Sequence, residues 1–315
     1  EITYGDWSSD VCSSDLIDPQ QYRSLADMAA RSFAEFAARP AYVQMDKSIN
    51  YGELDRDSQA FGAWLQQRAG LKRGDRVAIM MPNVLQYPIA LFGVLRAGGT
   101  VVNTNPLYTA RELEHQLRDS GAETIVILEN FAHVLQEVIG RTRVRTVIVT
   151  SVGELLGFPK GNIVDFVVRR VRKAVPPWQL PVASRFAAVL REGRHLQLTK
   201  HDLHHGDLAF LQYTGGTTGV SKGAMLSHGN MVANVLQSTA WTEPVLPRDE
   251  VGIAITALPL YHIFALTANC ILFLRLGWTN ILITNPRDFP GFVAELKKYR
   301  FTDRKSTRLN SSHRT

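Results

Sequence analysis

Cysteine is scarce in this chain. Cys12 and Cys270 are all that 315 positions hold. They lie far apart in dissimilar surroundings, which argues against a disulfide framework and makes a reducing compartment the default. No zinc-type Cys/His spacing occurs. The cluster His201, His204, His205 runs straight into Gly206-Asp207 with no carboxylate motif beside it, so it reads as a polar connector rather than a metal site. Long apolar runs are equally scarce. The most apolar stretch, 257–274, contains Pro259, His262 and Asn269 and is only marginally long enough to span a bilayer. A buried strand and helix fit it better. The first sixteen residues are polar and lack the apolar core of a secretory signal. RNP, zinc-finger and heptad patterns are absent, and no internal repeat of short fixed period occurs, so no nucleic-acid partner is expected.

What is present is an ordinary globular balance. With 45% apolar and 20% charged residues, the chain has enough for a sizeable core in one large or two smaller domains. A formal net charge of +6 and a pI of about 9.4 suit anionic partners such as nucleotides, CoA phosphates or an anionic membrane surface. Both ends read as foreign. Gly5-Asp-Trp-Ser-Ser-Asp-Val-Cys-Ser-Ser-Asp-Leu16 and Asp303-Arg-Lys-Ser-Thr-Arg-Leu-Asn-Ser-Ser-His-Arg-Thr315 have no period of two or 3.6 and join abruptly to patterned sequence. They resemble translated sequencing-adapter reads; natural disordered tails are the alternative. Residues 1–16 and 303–315 are therefore set apart, and the folding unit is expected over 17–302.

Within that unit strands and helices alternate. Leu25, Met28, Ala29, Phe33 and Phe36 share one face of a helix over 24–38. Short strands follow at 41–45 and 49–51, then a helix from Tyr51 through Leu65 that ends near Gly70. A buried strand at 76–81 is stopped by Pro82-Asn83; an apolar helix at 86–97 is capped by Gly98-Gly99. Strand 100–103 precedes Thr109-Ala-Arg-Glu112, a capping-box pattern that opens a helix through Ser120. Strand 124–128, helix 131–139 and strand 146–150 complete the series. This order implies βαβ crossovers and an α/β fold with a mostly parallel sheet. Prolines 159, 176, 177 and 181 break the rhythm over 151–197, the best linker candidate. Inside it, Val164, Val167, Val168, Val171 and Val175 fall on one helical face and Arg169, Arg170, Arg172 and Lys173 on the other. That pattern over 163–175 reads either as a membrane-surface helix or as an ordinary surface helix with a solvated basic face.

The sharpest feature is an apolar strand, Asp207-Leu-Ala-Phe-Leu-Gln-Tyr213, that runs into Thr214-Gly-Gly-Thr-Thr-Gly-Val-Ser-Lys-Gly223. Glycines let backbone N–H groups approach phosphate oxygens. Threonine hydroxyls add donors and can serve a magnesium ion, and Lys222 supplies a point charge for a terminal phosphate. The order is not that of a Walker A loop, which places Gly-Lys-Ser/Thr after four intervening residues.

The segment Tyr213–Gly223 resembles the nucleotide phosphate loop of the acyl-adenylate-forming superfamily, which includes acyl-CoA synthetases, luciferases and peptide-synthetase adenylation domains. The usual form has Ser at the place of Gly215 and Pro at the place of Ser221. Gly215 is similar to the long-chain fatty acid–CoA ligase branch; Ser221 loosens the loop. Thr256-Ala-Leu-Pro-Leu-Tyr-His-Ile-Phe264 resembles the family's aromatic motif, which borders the acyl pocket and the nucleotide. Further scaffold matches lie at Arg76-Val-Ala-Ile-Met-Met-Pro-Asn, Leu95-Arg-Ala-Gly-Gly, Asn105-Pro-Leu-Tyr-Thr and Ile283-Thr-Asn-Pro-Arg-Asp288.

The resemblance implies part of the large N-terminal domain of the adenylate-forming fold, with the C-terminal domain absent. It implies ATP, magnesium and CoA, and activation of a fatty acid first to an acyl-adenylate and then to acyl-CoA. Tyr213, Thr214, Gly215, Gly216, Thr217, Thr218, Gly219, Lys222 and Gly223 would bind the nucleotide. Lys222 and Thr214 would stabilise phosphate charge, and Thr217 or Thr218 would contact magnesium. Tyr261, His262 and Phe264 would line the substrate pocket, His262 shaping it rather than moving a proton. The family's Gly-Tyr-Gly-x-Thr-Glu motif, its ribose-binding Asp and its catalytic C-terminal Lys do not occur in the chain, so the chain by itself is expected to be inactive. A cytoplasmic protein, peripheral on the membrane's inner face and homodimeric in its full-length form, completes the expectation. Two other readings stay open: a ligase or adenylation domain for another carboxylic acid, and a non-catalytic nucleotide-binding or membrane-docking module.

Overall fold

The computed structural model describes residues 17–181, 183–214, 221–243 and 251–299. The proposed foreign ends lie outside these residues. Helix α1 (Leu25–Glu35) begins where the Ser24 side chain accepts from the Asp27 N–H and buries Leu25, Met28, Ala29 and Phe33. Strands β1 (Pro40–Gln44) and β2 (Lys47–Asn50) form an antiparallel pair. Helix α2 (Tyr51–Gln67) opens with a reciprocal box in which Asn50 and Glu53 each cap the other's backbone N–H. Then come β3 (Arg76–Met80), α3 (Gln86–Arg96) and β4 (Thr100–Asn103). Helix α4 (Ala110–Ser120) is closed at its start by the expected Thr109–Glu112 box and at its end by left-handed Gly121. β5 (Thr124–Leu128), α5 (Ala132–Val138) and β6 (Thr146–Thr150) follow.

Strands β3 to β6 are mostly apolar because both their faces are buried. In β3, Val77 and Ile79 enter one core while Ala78 and Met80 enter a second; in β5, Val126 and Leu128 are divided from Ile125 and Ile127 in the same way. A parallel sheet covered on both sides demands this pattern. Burying each such side chain contributes about 1.5–3 kcal/mol.

Chain 151–197 holds α6 (Lys160–Phe166), a π-helical continuation (Val167–Val171), β7 (Ala183–Arg185) and α7 (Phe186–Gly193). β7 pairs with β6, and Phe186 of α7 stacks on Phe61 of α2 with centroids 5.1 Å apart. The stretch is thus woven into the sheet and the helical layer despite its prolines. The valine stripe is turned inward: Val164, Val167 and Val168 are half-buried, whereas Phe158, Ile163, Phe166 and Val171 stand exposed.

β8 (Leu208–Thr214) and β9 (Lys222–Ser227) are antiparallel to each other, and α8 (His228–Thr242) follows. β10 (Ile253–Thr256) precedes a helical run made of α9 (Ile263–Ala265), a π-helical stretch (Leu266–Leu272) and α10 (Phe273–Arg275). The apolar stretch 257–274 is therefore a turn and helix, with its strand just before it. β11 (Thr279–Leu282) and α11 (Phe289–Lys298) close the described chain. The large sheet has the order β7-β6-β5-β3-β4-β8-β9, parallel except for β9; the small one has β10-β11-β1-β2.

The histidine cluster is spent on packing. His205 Nε2 donates to the Tyr22 carbonyl at 2.7 Å, and His201 meets Gln66 at 3.2 Å. Gly98 has φ +81°, and a Cβ there would come within 2.7 Å of the His201 ring, so glycine is required twice over.

Candidate functional site

The parallel order of β3, β4 and β8 brings Thr214 to the carboxyl edge of the large sheet, where open α/β sheets take their ligands. Strand β9 returns at once, so that Thr214 faces Lys222 and Tyr213 faces Gly223 across the ladder. Residues 215–220 fall outside the described residues, and with them Gly215, Gly216, Thr217, Thr218 and Gly219, including the expected magnesium contact. The two ends of the loop are described. Thr214 and Lys222 are exposed, and the Lys222 ammonium has no side-chain partner among the described residues.

Tyr213 is buried. Its hydroxyl donates to Asp119 Oδ2 at 2.5 Å. Burial, and next the Asp119 carboxylate, push its ionisation well above the ordinary phenol range. The ring lies across Gly223, where an added Cβ would come within 2.9 Å of the Tyr213 ring. Gly223 therefore serves close packing of the hairpin neck. At the far end of the loop, the Ser221 carbonyl accepts from His115 Nε2 at 3.0 Å; the Tyr108 phenol is raised by burial, an effect that nearby Ser221 partly offsets.

The aromatic motif is drawn to this strand by buried amides. Gln212, one residue before Tyr213, donates through Nε2 to the Tyr261 carbonyl at 2.8 Å and accepts at Oε1 from Asn103 Nδ2 at 3.1 Å. The Tyr87 hydroxyl sits 2.7 Å from Asn103 Oδ1 and 2.8 Å from the Leu260 carbonyl. Asn83 donates to the Thr256 and Leu258 carbonyls at 2.9 and 3.0 Å and accepts from Leu260 N–H at 2.9 Å. Side chains thus satisfy the Thr256, Leu258, Leu260 and Tyr261 backbone groups as the chain leaves β10.

Tyr261 is half-buried, and its phenol is raised by burial, partly offset by the Arg287 charge, with Tyr108 adding to the rise. His262 caps α9, its Nδ1 accepting from Phe264 N–H at 3.4 Å; His262 and Phe264 are both exposed. The two candidate motifs are therefore linked through Gln212, and the site gains Tyr108 between Ser221 and Tyr261. No contact joins the His262 or Phe264 side chains to the described loop ends.

His115, Asp119, Asn83, Asn103, Tyr87 and Gln212 escaped the reading of the sequence. A polar Gln212 inside the apolar strand before the loop was the one local sign; the others become visible only when distant segments meet. Shallow hollows elsewhere, one of about 400 Å³ lined by Lys72, Arg76, Glu123 and Arg145 among others, open at the amino ends of β3, β5 and β6. That is the wrong edge of the sheet for a ligand of this fold.

A sequence model of the family described as AMP-binding enzyme matches residues 29–304. A long-chain-fatty-acid–CoA ligase of Escherichia coli O6:H1 is 57% identical over 287 residues, which is 91% of this chain and 51% of that relative. The crystal structure of the anthranilate CoA ligase AuaEII in complex with anthranoyl-AMP is similar with a TM-score of 0.74 at 19% identity, covering 91% of this chain and 50% of that one. A long-chain-fatty-acid-CoA ligase from Archaeoglobus fulgidus gives a TM-score of 0.66 at 24% identity, covering 84% and 47%. At those identities the structural likeness carries the fold alone. The chain spans about half the length of the curated relatives it matches.

Proposed function

Because the chain belongs to the AMP-binding enzyme family, we propose that it is the phosphate-binding portion of an ATP-dependent long-chain fatty acid–CoA ligase. The observation that carries this is the β8–β9 hairpin: it offers Thr214 and a Lys222 unpaired among the described residues at the carboxyl edge of a parallel sheet. In the proposed reaction a fatty acid carboxylate oxygen attacks the α-phosphorus of ATP, and the bond to pyrophosphate breaks. The CoA thiol, losing its proton, then attacks the acyl carbon, and AMP leaves. Lys222 would neutralise charge that builds on the departing pyrophosphate, a preorganised electrostatic role. Thr214 would donate to a phosphate oxygen. Magnesium would accompany the triphosphate, its expected partner being Thr217 or Thr218. Tyr261 and its neighbours would border the acyl group.

The 315-residue chain is expected to bind ATP and pyrophosphate without turning them over. In calorimetric titration Lys222→Ala should weaken ATP binding roughly 10- to 100-fold, the size of a lost charge-assisted hydrogen bond. ATP–pyrophosphate exchange should stay at blank. Equal affinity in Lys222→Ala would sink the phosphate role, and exchange well above blank would sink the expectation of inactivity.

Peripheral membrane contact belongs to the same proposal. Its support is the exposed apolar set Phe158, Ile163, Phe166 and Val171 beside exposed Arg170, Arg172 and Lys173. A cytoplasmic protein meeting the anionic inner face of a membrane fits this pairing of apolar and basic groups. Among the described residues no helix is long and apolar enough to cross a membrane.

A further inference from the structure

We propose that helix α4 is a clamp for the β8–β9 hairpin, with His115 and Asp119 as positioning residues that hold Tyr213 and Ser221 at a fixed separation. The two residues are four apart and so share one face of the helix. Asp119 Oδ2 takes the Tyr213 hydroxyl at 2.5 Å, just before the loop. His115 Nε2 lies 3.0 Å from the Ser221 carbonyl, just after it. A carbonyl only accepts, so Nε2 carries the proton and donates. The helix itself is fixed independently of the loop. Its first turn is locked by the Thr109–Glu112 box and its last by Gly121. Leu113 and Leu117 are fully buried in the core on that side of the sheet. On a different face Glu114 pairs with Arg141 at 2.8 Å and with Arg118.

Thr214 and Lys222 lose conformational freedom when they order together around an anion. Side chains on a rigid element that pin their neighbours Tyr213 and Ser221 remove part of that cost beforehand. The clamp stands on the described geometry. Its purpose, presenting Thr214 and Lys222 to phosphate, rests on the nucleotide reading above.

Hydrogen–deuterium exchange on the 315-residue chain tests the clamp, with Mg·ATP titration of the same variants testing its purpose. His115→Ala is expected to speed amide exchange in peptides covering 221–227. Asp119→Ala and Tyr213→Phe should do so in peptides covering 208–214. Each effect should be about fivefold, the equivalent of one net hydrogen bond. His115→Gln and Asp119→Asn, which keep a donor and an acceptor in place, should restore most of it. Asp119→Ala added to Tyr213→Phe should change nothing further. Glu114→Ala, which alters only the outer face of α4, should leave both peptides as they are. Affinity for Mg·ATP should fall about fivefold or more in the alanine variants and recover in the conservative ones. Exchange at the wild-type rate in His115→Ala and Asp119→Ala overturns the clamp. Faster exchange with unchanged Mg·ATP affinity overturns its purpose and leaves a staple of the fold. A wild-type chain that binds no Mg·ATP overturns the nucleotide reading instead, and exchange then decides the clamp alone.

Discussion

At the scale of single residues, burial governs the chemistry more than residue type does. Cys270 looks like a free thiol in the sequence, yet burial pushes it up to about 12, and its Sγ is 3.2 Å from the Tyr42 hydroxyl. A thiol held so high supplies almost no thiolate near neutral pH. His228 goes the other way. Its Nδ1 accepts from the Leu25 N–H at 3.2 Å, which requires an unprotonated nitrogen, and burial lowers it from 6.5 to about 4. The folded chain therefore binds this proton more weakly than the unfolded chain does. The resulting stability is fully present above pH 6.5 and is lost as pH falls from there through 4, a change of roughly 3 kcal/mol. Urea unfolding midpoints measured from pH 7 to pH 4 should fall, and His228→Gln should flatten that fall. The same pH slope in the variant would refute the assignment.

At the scale of elements, regular periodicity was read well and irregular backbone was not. Strands β4, β5 and β6 have the limits expected from their apolar runs, and the Thr109–Glu112 box forms with both of its hydrogen bonds. These signals are local, each contained within a few residues. β9, β10 and β11 carry no comparable signal: β9 is exposed or half-buried throughout and exists because β8 lies beside it. Likewise 256–261 owes its path to Asn83, 173 positions earlier at the nearest bond. Asn83→Ala would strand two carbonyls and one N–H. We expect it to destabilise the chain by about 3 kcal/mol, taking 1–3 kcal/mol for each buried group left unpaired. Chemical denaturation measures this directly; a loss below about 1 kcal/mol would mean that water or the backbone replaces the amide easily.

At the scale of the whole molecule, the surface is where the sequence misled. A helical wheel over 163–175 puts five valines on one stripe, but four of them, Val164, Val167, Val168 and Val175, are half-buried, and a different apolar set, Phe158, Ile163 and Phe166, faces out. If that set enters a bilayer interface, each side chain contributes about 1.5–3 kcal/mol, and each basic residue near anionic lipid about 1 kcal/mol. Sedimentation with phosphatidylserine-containing vesicles should pull down the chain, less so at high salt. Ile163→Asn with Phe166→Asn should weaken binding at least about 100-fold. Equal pelleting by the double variant, or by uncharged vesicles, would reject this surface.

The sequence by itself determined the α/β class and the parallel order implied by alternating strands and helices, and it singled out 213–223 as the candidate phosphate loop. All of these rest on period, cap and motif, which are properties of neighbours along the chain. Only the tertiary structure decided what holds that loop and what lies beside it. His115 and Asp119 on one side, and Gln212, Asn103 and Tyr87 on the other, meet at the ends of the candidate loop through hydrogen bonds between segments far apart in sequence. A polar side chain carries no mark of its partner until folding removes the water from both.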